Sequence, residues 1–162
     1  MQSRALLDSC AVQNNGGVGI TVLQSASLTC RNTVVSANYG LSTAGAISAD
    51  RATAVLLDHT SVTNNLGGGL RLNGVQQVQI EACNIASNSI FNVRWVASAN
   101  LVIPNNWWGT ADESLVPATI IDCKQSPGSI GCVQFLPLLT SPVAVTPQSC
   151  APLQRPQVAS GP

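Results

Sequence analysis

The sequence predicts an all-β solenoid, a chain of short strands that coil and stack in parallel on one another. Three observations point there. An apolar column recurs at Leu7, Cys30, Leu57, Ile80 and Ile103, with spacings of 23, 27, 23 and 23 residues, and a fixed period of this length marks a repeat architecture. A polar column, Asn15, Asn38, Asn65 and Asn88, keeps the same spacing. The repeats themselves are short β-branched runs separated by turn residues, without a helix-length amphipathic segment, which selects stacked strands over a helical repeat.

Each coil predicts three strands. In the first, Ala5, Leu28, Val55, Val78 and Leu101 lie two residues before the apolar column, so both columns face inward together. The second strand carries Val12, Val35, Val62, Ile85 and Trp108. The third carries Ile20, Ile47, Leu70 and Val93, followed two residues later by Val22, Ala49, Leu72 and Trp95. Its spacings locate a four-residue insertion between Asn38 and Ile47. The Asn column lies between the second and third strands and is followed by Gly16, Gly40 and Gly67. Asn tolerates a left-handed turn and can stack as an amide ladder. Residues 1–109 thus form about four to five coils.

Beyond Gly109, residues 110–140 are expected to cap the stack. Thr110 and Glu113 have capping-box spacing, which predicts one or two helical turns over 111–116, ended by Pro117. Two strands follow, over 119–123 and 132–135. Residues 141–162 contain five prolines and read as a tail or linker, since proline cannot continue a ladder.

These columns, with Asn105, Asn106, Trp107, Trp108 and Gly109 closing the last coil and Phe135, Leu136, Pro137 and Leu138 ending the cap, make the chain resemble the right-handed parallel β-helix proteins of the pectin-lyase-like superfamily. The resemblance covers about residues 5–142 and is nearest to bacterial surface and secreted members, whose last coil ends in an Asn-x-Trp-Trp-Gly type motif. It implies an extracellular or cell-surface location. It implies no single activity, because lyases, hydrolases, adhesins and scaffolds share the repeat.

Composition narrows the function. Only 9% of the 162 residues are charged, against about 25% in ordinary domains, as aliphatic ladders and amide turns would produce. A formal net charge of zero leaves no basic stripe to neutralise phosphates, which argues against nucleic acid. No apolar run reaches the roughly 18 residues of a membrane span. Residues 1–4 lead straight into the first repeat with neither a signal-peptide pattern nor a cap, so further upstream coils are expected.

The six cysteines show neither CxxC nor a Cys/His cluster, and His59 is the single histidine, so no metal site is expected. Cys30 lies in an inward column. Cys10 and Cys83 share a repeat position three coils apart, roughly 14 Å, too far for a disulfide. All three are expected to act as small buried hydrophobes. Cys123 and Cys132 flank a turn and can close a loop disulfide, which leaves Cys150 over.

Candidate chemistry lies on outward positions. Asp58 and Glu81 fall on neighbouring rungs, about 5 Å apart, the separation retaining glycosidases use; they could instead share Ca2+, as the acidic residues of calcium-dependent lyases in this superfamily do. The plainer reading is a solvated column with Arg31 facing Asp58. Arg71 and Arg94 form a second column one rung apart, suited to an anion such as a uronate or simply solvated, and are expected on a different face. His59, beside Asp58, is either an acid/base group or a turn residue. Trp95 and Trp108 fit a cover over the core end, whereas Trp107, of opposite parity, is the better candidate for stacking on a sugar. The Tyr39–Ala46 insertion breaks the period, and such insertions tend to line a binding face.

The reading preferred from sequence is a non-catalytic scaffold or adhesin-like β-helix segment, needing no cofactor and contacting a polysaccharide or cell-surface glycan. The alternatives are a polysaccharide lyase or glycoside hydrolase, with Asp58 and Glu81 catalytic and Ca2+ as cofactor, or a glycan-binding module using Arg71, Arg94 and Trp107.

Overall fold

The computed structural model describes residues 3–40, 44–125 and 131–147. Four successive coils each contribute three strands. They are β1 (Arg4–Asp8), β2 (Ala11–Gln13) and β3 (Ile20–Leu23); β4 (Ser27–Arg31), β5 (Val34–Ser36) and β6 (Gly45–Asp50); β7 (Ala54–Asp58), β8 (Ser61–Thr63) and β9 (Gly68–Asn73); and β10 (Gln77–Glu81), β11 (Asn84–Ala86) and β12 (Phe91–Val96). A fifth coil runs through β13 (Leu101–Val102), a bridge from Trp107 to Asn84, and β14 (Ile120–Ile121), which pairs with β12. Stacked rungs make three parallel sheets: β1-β4-β7-β10, β2-β5-β8-β11 and β3-β6-β9-β12-β14. The β-solenoid expected from the period is the fold observed.

The register follows the sequence columns residue for residue. Leu7 pairs with Cys30, Cys30 with Leu57, and Leu57 with Ile80. Ile47 pairs with Leu70 and Leu70 with Val93, so the longer coil returns to register by Ile47. Inward residues of the middle coils, such as Leu28, Val55, Val62 and Leu72, are fully buried. In the first coil Leu7, Val12 and Ile20 are only partly covered, because each has a stacked neighbour on one side. Gly68 is fixed by packing: a Cβ there would collide with the Phe91 ring, its register partner one coil on.

The turns are held by two inward polar ladders. In the first, the amides of Asn15, Asn38, Asn65 and Asn88 chain together, with Nδ2 of each donating to Oδ1 of the next at 2.7, 3.1 and 2.9 Å. Asn88 ends the chain on Asn92 Oδ1 at 3.0 Å, a link the repeat columns did not predict. Each Oδ1 also accepts the backbone N–H of the preceding rung, as Asn65 does from Asn38 at 3.1 Å. The left-handed residue is the one before the column, Asn14, Ala37, Asn64 and Ser87, which corrects the expectation that the ladder Asn residues take that conformation themselves.

The second ladder stands at the other turn and consists of Cys10, Thr33, Thr60, Cys83 and Asn106. Each side chain donates to the carbonyl two residues back, Thr33 to Arg31 at 2.8 Å, Cys83 to Glu81 at 3.1 Å and Asn106 to Pro104 at 2.9 Å. At Cys10, Thr60 and Cys83 the backbone N–H is then accepted by the next rung's side chain, as Asn106 Oδ1 does from Cys83 at 2.9 Å. Cys10 and Cys83 are therefore polar rungs and not merely small hydrophobes, whereas Cys30 is purely a core side chain.

The cap departs from expectation at its start. A 3-10 helix spans Glu113–Thr119, N-capped by Asp112, whose Oδ1 accepts from Ser114 N at 2.9 Å; Pro117 lies inside the helix. Thr110 instead accepts from Asp112 N at 3.0 Å. β15 (Val133–Gln134) pairs with β13, so β13 leaves the first sheet and a cleft of about 570 Å³ opens beside β10, with Trp95 among its lining residues. The Cys123–Cys132 disulfide forms, and buried Asp122 accepts from Val133 N at 2.7 Å. Trp95 and Trp108 are both buried, Trp108 edge-on to Phe135 at 5.8 Å. The chain past Ser141 is tied down at Val143, which exchanges two 2.8 Å hydrogen bonds with the Asn84 amide. Cys150 and most of the proline-rich segment lie outside the described residues.

Asn65→Ala removes a side chain that satisfies groups on both neighbouring coils, among them Asn38 N and Val35 O. It is expected to destabilise the chain by about 2–4 kcal/mol in urea denaturation. Asn64→Gly, at exposed φ 56°, should stay within about 0.5 kcal/mol of the parent.

Burial pushes the Cys30 and Cys83 thiols up to about 12. Their folded values lie above the unfolded value of 9.0, so the unfolded chain loses these protons first and stability falls as pH rises from 9 toward 12. Peptide mapping after iodoacetamide treatment of the native protein at pH 8 should find Cys10 modified before Cys30 and Cys83, which react only on unfolding.

Candidate functional site

The outward side chains gather into three groups, one on each sheet. On the first sheet Arg31, Asp58 and Glu81 stand in one register row. Asp58 and Glu81 are exposed and line a shallow cleft of about 240 Å³ with Arg31, Thr29, Leu56 and Gln79. The structure thus brings the two predicted carboxylates together, one rung apart. His59 takes left-handed φ 43° at the turn, and its Nδ1 lies 2.6 Å from Asp58 Oδ1. The position is one of a stacked row of left-handed residues, Ser9, Asn32, His59, Ala82 and Asn105. Asp58 therefore takes its hydrogen bond from its own turn, and Arg31 supplies a positive neighbour along the row.

The third sheet carries the cations. Arg71 and Arg94 are register partners on β9 and β12, with Ser48 next to Arg71 on β6 and Ile121 next to Arg94 on β14. Ala44, Ser48, Arg71 and Arg94 line a cleft of about 280 Å³. Ala44 belongs to the predicted insertion, of which Leu41, Ser42 and Thr43 lie outside the described residues. Arg94 Nε is shut off from solvent without a hydrogen-bond partner.

The second sheet carries Trp107, half-buried beside Asn84. With Ser61, Thr63, Ser87 and Pro142 it borders a cleft of about 330 Å³. The ring has hydroxyl and amide neighbours there, the combination a sugar face requires. The Asn84 amide itself is committed to Val143.

The sequence-derived residues are therefore brought together within columns and kept apart between them. Asp58 meets Glu81, and Arg71 meets Arg94, but the carboxylates, the guanidiniums and Trp107 occupy different sheets, as expected for the first two pairs. Asn84 was missed because its role depends on a partner 59 residues away, which no local pattern announces. Asn106 could have been found, since it continues the Cys10 column at the repeat spacing.

Comparison with known proteins agrees with this geometry. No curated protein and no solved structure matches the chain significantly. A family model described as a right-handed beta helix region matches residues 1–112, a span that includes the four three-stranded coils from β1 to β12. With its parallel rungs in register over that span, the chain belongs to the right-handed β-helix family.

Proposed function

We propose that this chain is a non-catalytic segment of a secreted or cell-surface β-helix, a rigid stalk or scaffold that presents its outer columns to a glycan. The observation that carries it is the distribution of reactive side chains over three sheets around an axis tied by two polar ladders, the Asn ladder running without a break from Asn15 to Asn92. A lyase or hydrolase needs base, acid and substrate clamp to converge on one reacting bond. A stalk needs axial stiffness, which the Asn ladder supplies by tying each coil's turn to the next.

One observation favours a second reading. Asp58 and Glu81 stand in register within one cleft, the placement a carboxylate pair acting on an acidic polysaccharide requires. Under that reading the pair works by acid/base catalysis or through shared Ca2+. The test incubates the full chain with polygalacturonate and alginate, with and without calcium, and follows unsaturated products and reducing ends. We expect no turnover and a melting temperature that calcium leaves unchanged. Turnover that disappears in Glu81→Gln would overturn the scaffold reading in favour of the enzyme.

A further inference from the structure

We propose that Arg71 and Arg94, with Ser48, form a clamp for a single oxyanion group, a sulfate ester or carboxylate carried by an acidic glycan. The two guanidinium residues stand on adjacent rungs in direct register, a placement in which an oxyanion between them would be attracted by both charges. Their row along the third sheet reads Thr21, Ser48, Arg71, Arg94 and Ile121. It contains hydroxyls and an apolar end, and no carboxylate. Asp50, on β6 of the same sheet, is already engaged by Asn73 Nδ2 at 3.0 Å and Arg51 Nε at 3.6 Å.

A second, independent observation comes from Arg94. Its Nε is buried and has no acceptor, although a charged donor removed from water is costly to leave unmatched. An oxyanion in the cleft can supply that acceptor, and the guanidinium forks match sulfate and carboxylate geometry. Ser48 adds a neutral donor on the same side. The cleft holds a group of that size at about 280 Å³, and its remaining wall, Ala44, comes from the coil that breaks the repeat period.

The clamp rests on the glycan-presenting part of that reading and not on the absence of catalysis. Binding is measured here without turnover, so either proposal can fail alone.

The test titrates the full-length chain with sodium sulfate, and separately with galacturonate, at ionic strength held constant with chloride. Arginine Nε–H resonances are followed by NMR. We expect the Arg71 and Arg94 resonances to shift saturably, with apparent affinity weakened about tenfold or more in Arg71→Gln and unchanged in Arg31→Gln. Arg94→Lys, which keeps the charge but loses the fork, should weaken it nearly as much. Tighter binding of sulfate assigns a sulfate ester, and tighter binding of galacturonate a carboxylate. A linear, non-saturating response, or equal affinity in the parent and Arg71→Gln, would overturn the clamp. Arg71 is partly exposed, so Arg71→Gln decides the outcome even if Arg94 variants unfold.

Discussion

Everything in this structure depends on satisfying backbone amides at turns that water does not reach. A parallel coil must reverse direction inside its own width, and each reversal turns N–H and C=O groups toward the core. Left unpaired, such groups cost about 1–3 kcal/mol each. The solution is a side chain that performs two tasks, accepting an N–H from one neighbouring rung and donating to a carbonyl. Asn65 does this while buried to 1% exposure, and Asn38 at 0%. Because the amide reaches both neighbours, the ladder sets the register of whole coils. The longer coil shows its strength: the extra residues follow Asn38, and Ile47 is back in register with Leu70.

The same constraint explains what could be read from sequence. Apolar columns were legible because one physical role, filling a narrow core, selects similar residues at every turn. The Asn ladder was legible for the same reason. The second ladder was not, since its role can be filled by a thiol, a hydroxyl or an amide, and Cys10, Thr33, Thr60, Cys83 and Asn106 share no letter class although each can donate to the carbonyl two residues back. The cap start failed differently. Thr110 and Asp112 both offer a side-chain acceptor two residues ahead of an N–H, and the Asp112 carboxylate, held below its ordinary range by hydrogen bonds from Ser114, took the capping role. Pro117 ends an α-helix by breaking its i→i−4 ladder, but single 3-10 turns contain no such ladder.

Candidate sites were legible as columns and not as sites. A residue's place in the repeat fixes its sheet and its rung, so the pairing of Asp58 with Glu81 and of Arg71 with Arg94 followed from spacing alone. What lies across a turn does not follow. The bond from His59 to Asp58 depends on a left-handed backbone at that residue, and the hold of Asn84 on Val143 depends on where the cap sends the chain.

Inward positions of a β-helix are spoken for by core and ladder, so specificity must be written on the outward rows, and the two charged rows differ in a way that matters. On the first sheet Asp8, Arg31, Asp58 and Glu81 set three acids against one cation along the register, with Asp58 beside Glu81. Arg31 neutralises part of that charge, and the exposed groups are screened by solvent. On the third sheet the two arginines are adjacent, their row supplies no acid, and one nitrogen is withdrawn from water. Both rows thus hold a like-charged pair, and what distinguishes the arginine pair is the buried, unmatched Nε of Arg94. The proposed recognition therefore rests on the arginine row, whose cleft is walled by Ala44 of the longer coil.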